Sequence, residues 1–173
     1  DGSWFRVNYI TALSALAMIE AKKHFPELVE EDYISTAISW LEQTQNLDGG
    51  CREALNLNVW DTALSTIALA GLDNENSLTK QLQASSSWIM KQQSNDGGWA
   101  FSGLADFRTS NSVAKILSDA DDTALSTLAL ILSLAPHEIK QNQSIKKGIS
   151  WLVENQSPDG SWSTYVPGEG DMG

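Results

Sequence analysis

Cysteine is nearly absent: Cys51 alone cannot form an intrachain disulfide or a multi-cysteine zinc site, and a single thiol is compatible with a reducing compartment. Basic residues are scarce too. Only 11 Lys and Arg stand against 22 Asp and Glu, a net charge of -11 that would repel a phosphate backbone, and no basic stripe offsets it. This argues against nucleic acid as a partner. No apolar run approaches the roughly 20 residues of a membrane-spanning helix. The chain opens on Asp1 without a basic, then apolar, leader, and is expected to be a piece of something longer or to lack its ends. No Gly/Ser-rich linker or low-complexity tract interrupts it. What is present, 173 residues at 42% hydrophobic composition, suffices for a sizeable core and would ordinarily make one domain.

Self-similarity qualifies that reading. One phrase occurs three times: Trp40-Leu41, Gln45, Asp48-Gly49-Gly50-Cys51; Trp88-Ile89, Gln93, Asp96-Gly97-Gly98-Trp99; and Trp151-Leu152, Gln156, Asp159-Gly160-Ser161-Trp162. Asp1-Gly2-Ser3-Trp4 is the tail of an earlier copy. Corresponding aspartates lie 47, 48 and 63 residues apart, the size of a two-helix unit with an insertion in the last. A second phrase follows each turn, as Thr11-Ala12-Leu13-Ser14, Thr62-Ala63-Leu64-Ser65 and Thr123-Ala124-Leu125-Ser126.

Before each turn, Ile34/Ile38/Leu41, Leu82/Ser86/Ile89 and Ile145/Ile149/Leu152 fall at i, i+4, i+7, one face of a half-wet outer helix. After each turn the helix is apolar nearly all round, as in Ala124 to Leu134, which predicts an inner helix buried on every side. Aspartate followed by glycine reverses the chain, because Asp bonds local backbone and Gly tolerates positive φ. Alternating outer and inner helices predict an all-α fold, an α/α toroid. Six such pairs would need on the order of 290 residues, so these copies form a partial arc. The insertion Gly103 to Ser118, just ahead of the acids, is expected to be a surface excursion or a loop that lines a site.

The repeated phrase resembles the QW motif of squalene-hopene and oxidosqualene cyclases, in which the glutamine and tryptophan tie successive helix pairs together. Further likenesses come in that family's order: Val59-Trp60-Asp61-Thr62-Ala63-Leu64, Gly97-Gly98-Trp99-Ala100-Phe101, and Asp119-Ala120-Asp121-Asp122-Thr123-Ala124. The last is similar to the DxDD signature of proton-initiated, class II terpene cyclases. The resemblance implies that residues 1–59 end one α/α repeat array and that residues 60–173 belong to the acid-bearing barrel domain. It assigns Asp121 as the proton donor and Asp119 and Asp122 as its supporting acids. It also makes Trp60 and Phe101 cavity aromatics that bind substrate, set against ordinary core packing; aromatic faces attract a carbocation by ~0.5–2 kcal/mol each and offer no reactive lone pair.

Protonating an alkene requires a carboxyl held neutral at pH 7. Burial and crowding by like charges supply that, shifting a carboxyl by as much as ~3–5 units. In an ideal helix positions 119 and 122 share a face and 121 points elsewhere, so all three gather better if Asp119 is still extended at the helix mouth. Taken singly, Asp121 or Asp122 would read as an N-cap, and Asp61 before its own Thr-Ala-Leu-Ser phrase reads as structural. Trp99 and Trp162 are expected to be structural, with Trp40, Trp88 and Trp151 packing outer helices.

Of two substrates, a linear polyprene such as squalene is the expected one, and a prenyl diphosphate of the drimenyl or copalyl type is the alternative. A polyprene such as squalene implies no cofactor, no metal and a monotopic, membrane-associated enzyme; a prenyl diphosphate implies a soluble cytoplasmic enzyme using Mg²⁺. A homodimer and the remainder of a cyclase chain are the expected protein partners. Several features depart from the family pattern. Leu117-Ser118 stands where bacterial triterpene cyclases carry Tyr-Pro, Cys51 replaces a phrase tryptophan and is expected to pack, and His24 and His137 match no catalytic histidine and are expected at the surface. Zinc prenyltransferases need more metal ligands than one cysteine and unmatched histidines provide, and a thioester needs Gln where Ala54 stands. A glycosidase pairing Asp61 with Asp121 leaves Asp119 and Asp122 unexplained. A helical repeat scaffold that binds without catalysis is the non-enzymatic alternative.

Overall fold

The computed structural model of the chain describes residues 2–4, 6–51, 57–72, 78–102 and 117–164. Among these there are seven helices and no strand: α1 (Asn8–Lys22), α2 (Glu31–Thr44), α3 (Asn58–Leu72), α4 (Thr79–Gln92), α5 (Ala120–Ser133), the short α6 (Pro136–Gln141) and α7 (Gln143–Glu154). Helices α1, α3 and α5 pack side by side as an inner row; α2, α4 and α7 back them as an outer row. This is the expected all-α arc of inner and outer pairs. The insertion from Gly103 lies outside the described residues apart from Leu117 and Ser118.

The repeated phrase carries the same bonds in each copy. Asp48, Asp96 and Asp159 each accept, through Oδ1, the backbone N–H two residues on, at 3.1, 3.0 and 3.0 Å. The intervening Gly49, Gly97 and Gly160 take φ of 91°, 98° and 89°. The glutamine then staples one pair to the next: Gln45 Nε2 donates to Gly49 O and to Gln81 O on α4, and Gln93 Nε2 donates to Gly97 O and to Ser144 O on α7. Trp99 Nε1 donates to Ile89 O and Trp162 Nε1 to Leu152 O, both at 2.8 Å.

Glycine at the turn also answers to space. A Cβ on Gly49 would sit 2.3 Å from Ala84 O, against the next outer helix. We therefore expect Gly49→Ala to cost at least about 2 kcal/mol, strain from positive φ adding to overlap. Gly71, where a Cβ would meet only Leu16 Cδ2 at 3.8 Å, should accept alanine with no loss. Chemical denaturation of the two variants tests this, and equal midpoints would refute it.

The predicted burial holds for the first two outer helices, where Ile34, Ile38, Leu41, Leu82, Ser86 and Ile89 are all buried. It fails in α7 and α5. Ile149 is exposed, and α7 buries Ile145, Gly148 and Trp151; Leu128 and Leu132 of α5 are also exposed. The cause is position in the row. Helix α3 has inner neighbours on both sides and is buried all round from Asp61 to Leu69, whereas α5, among the described residues, has α3 as its one inner neighbour.

Candidate active site

A threonine explains the second repeated phrase, which sequence reading noticed without a role. Thr11, Thr62 and Thr123 Oγ1 accept the backbone N–H of Trp4, Cys51 and Trp99 at 3.0, 2.8 and 2.9 Å, clasping each turn to the start of the inner helix that follows. In the third copy an antiparallel bridge adds Asp119 N–H to Trp99 O at 2.9 Å. That bridge holds Asp119 extended, at φ -126° and ψ 164°, and Asp119 Oδ1 accepts Asp122 N–H at 2.8 Å. The helix cap is thus Asp119, which sets aside the alternative of Asp121 or Asp122 as the cap. Both lie inside the first turn, where negative charge suits the positive helix end.

This geometry gathers the three acids. One carboxylate oxygen from each of Asp119, Asp121 and Asp122 lies within 4.8 Å of the others. Their environments differ. Asp119 and Asp122 are each 2% exposed, while Asp121 is exposed. Asp122 is pushed up to about 9, first by burial, then by the charge of Asp119 and a hydrogen bond shared with it, with Asp121 and Asp61 adding repulsion. Its Oδ1 has no hydrogen-bond partner among the described residues. Asp119 is raised to about 7, again mainly by burial and further by Asp121, while the Asp122 N–H opposes the shift. The expected burial therefore falls on the two flanking acids, with the middle one at the surface of this arc.

Asp121 faces a hollow of about 530 Å³ whose other walls are Ala120, Ala124, Leu152, Trp162 and Thr164. Trp162 is the residue sequence reasoning missed. It keeps the structural bond to Leu152 O, yet it is 47% exposed and walls the hollow, whereas Trp99 in the matching position is fully buried. Their phrases differ just ahead of the tryptophan, Gly98 against Ser161, a difference that does not signal exposure. Trp60 is half-buried against the core between α1 and α3, and Phe101 is 36% exposed with its carbonyl accepting Val59 N–H; neither lines this hollow. Asp61 is fully buried in α3 and Cys51 is buried, while His24 and His137 are exposed.

The convergence of three carboxyls has two chemical uses. A divalent cation would hold all three ionised; proton donation needs the reverse. Without a cation, Asp119 and Asp122 are held toward the protonated state. No helix among the described residues is long and apolar enough to cross a membrane.

Inner and outer helices stapled at aspartate-glycine turns, with an acid cluster at the mouth of an inner helix, define an arc of the terpenoid-cyclase type of α/α toroid. The sequence pattern of the squalene-hopene cyclase C-terminal domain matches residues 56–170, and the chain belongs to that family. It is 28% identical over 179 residues to a squalene-hopene cyclase of Alicyclobacillus acidocaldarius, covering 95% of this chain and 26% of that protein. It is 30% identical over 160 residues to a lanosterol synthase of Candida albicans, covering 88% and 21% respectively. A squalene-hopene cyclase of Zymomonas mobilis is 26% identical over 150 residues, covering 82% and 21%. The chain thus spans about a quarter or less of the length of these relatives.

Proposed function

We propose that this chain carries the proton donor of a class II terpene cyclase that cyclises a linear polyprene such as squalene. One observation carries the reading: three carboxyls converge at a helix mouth, two buried and raised, and the third opens into a hollow walled largely by apolar side chains. The buried pair keeps protons in the cluster at neutral pH, and Asp121 is the member placed to deliver one. In the step itself Asp121, protonated from the buried pair, gives its O–H proton to the terminal alkene, whose π electrons form the new C–H bond while the O–H electron pair stays on the carboxylate. The cation left on the neighbouring carbon is taken up by the next double bond.

Membership of the squalene-hopene cyclase family and relatives named for triterpene cyclisation support the squalene-type substrate. Cyclisation of a prenyl diphosphate is the second reading, favoured by a carboxyl cluster whose spacing would also admit Mg²⁺. The test is to incubate the full-length protein with detergent-dispersed squalene and, separately, with farnesyl and geranylgeranyl diphosphates with and without Mg²⁺, and to identify products by mass spectrometry. Cyclic hydrocarbon or alcohol from squalene is the expected result. Cyclic products from the diphosphates alone would replace it with the second reading, and no cyclic product from any precursor would leave a helical scaffold.

A further inference from the structure

Ser118 is buried, and its hydroxyl donates to Asp96 Oδ1 at 2.9 Å, the same oxygen that accepts Gly98 N–H at 3.0 Å. The turn that ends one outer helix is thereby tied to the residue immediately before the acid-bearing cap. Gly98 makes room for it: a Cβ there would lie 2.6 Å from Ser118 Cβ and 2.9 Å from its Oγ. The chain supplies its own control. All three inner helices have the threonine clasp, but five residues before Thr11 and Thr62 stand Arg6 and Leu57, neither a hydroxyl. The serine occurs only where three acids follow.

Resting on the proposed acid role of the cluster, we infer that Ser118 is a positioning residue. Its bond to Asp96 fixes the backbone from which Asp119 caps α5, and so sets how closely the three carboxyls approach. The path is short: Ser118 Oγ to Asp96, Asp119 N–H to Trp99 O, Asp119 Oδ1 to Asp122 N–H. Without the serine hydroxyl two of these three ties remain, so the helix should still form. What loosens is the angle at which Asp119 enters it. Separation of the carboxyls would admit water and weaken like-charge crowding, which favours ionisation.

The charged groups that bear on the cluster are Asp119, Asp121 and Asp122 themselves and Asp61 on α3, and Asp96 in the turn touches it through Ser118. Those of the flanking helices α4 and α7, namely Lys80, Lys91, Lys146, Lys147 and Glu154, are exposed.

Titration of the aspartate carboxyls by ¹³C NMR in the full-length protein tests this without reference to turnover, with Asp119→Asn and Asp122→Asn providing the assignments. In Ser118→Ala the highest carboxyl titration should fall by about one pH unit or more, a tenfold change in the ionisation constant, and Ser118→Thr should restore it. Should the alanine variant not fold, near-isosteric Ser118→Cys, a weaker donor, should show the same direction of change. Unchanged titration in a folded Ala or Cys variant would overturn the inference. With squalene, the same variant should lose about tenfold in kcat at unchanged KM. A moved titration in a protein that cyclises nothing would sink the proposed function and leave the positioning role standing; an unmoved titration in an active cyclase would do the reverse.

Discussion

At pH 8 the Asp122→Asn protein should unfold at a higher temperature than the wild type, and at pH 4 the two should unfold together. Asp122 is 2% exposed and raised to about 9 by burial and by Asp119, against an ordinary value of 3.8. Between those two values the folded state binds a proton that the unfolded state has released. Stability changes with pH as the protons bound by the unfolded state minus those bound by the folded state, so the slope is negative and the folded protein weakens as pH rises through this window. Above about 9 both states are ionised, and the loss stops growing. Asparagine does not ionise and escapes the whole effect, which amounts to several kcal/mol at pH 8. Asp119 acts in the same sense but less, because its window closes near 7. Matched thermal melts of wild type and variant from pH 4 to 9 measure the difference directly and cancel the titration of acids outside the cluster. A gap that stays constant with pH, or grows toward acid, would show that the site is not paying to retain a proton. The same substitution should lower turnover, the usual exchange of stability for activity at a functional site.

How much of this could be read from the sequence follows from what repetition conveys. Three copies of one phrase define helices, turns and staples, since each glutamine, aspartate and glycine answers a local backbone demand that recurs in every unit. The extended Asp119 was likewise legible, because in a continuous helix 119 and 122 share a face that 121 does not, and an extended Asp119 gathers all three better. Repetition is silent about where a copy stands in the row. Ile149 matches Ile38, yet it is exposed, and Leu128 falls on an inner helix, yet it lies open, because among the described residues no further helix pair packs beside α5 and α7. Trp162 and Trp99 share a phrase and a hydrogen bond to the preceding helix, and only tertiary position turns one of them into a wall of the hollow. The division of labour among the acids was hidden for a related reason. Burial of Asp119 and Asp122 comes from α3 and the turn at Trp99, which the four-residue motif does not contain.

Asp121→Asn should reduce cyclisation at least about 10³-fold while leaving stability within about 0.5 kcal/mol of the wild type. The two halves of that expectation have separate origins. Asp121 is exposed and is not the cap, so the helix start keeps its Asp119–Asp122 bond when the side chain changes. Asparagine keeps the size and the carbonyl oxygen but cannot release a proton to an alkene, so what disappears is the chemical step and not the shape of the hollow. Neither neighbour should substitute for it. Asp119 Oδ1 is engaged with the Asp122 N–H, Asp119 and Asp122 are buried, and of the three acids Asp121 is the one that lines the hollow. A supporting role for Asp121 would leave a tenth or more of the rate, which single-turnover product analysis separates readily from a thousandfold loss. Retained turnover would move the donor to another residue, and lost turnover accompanied by a lower melting temperature would point to a structural fault in place of a missing proton. The contrast with Asp122→Asn makes the pair decisive: one substitution should silence the reaction at no change in stability, and the other should slow it while making the protein harder to unfold above neutral pH.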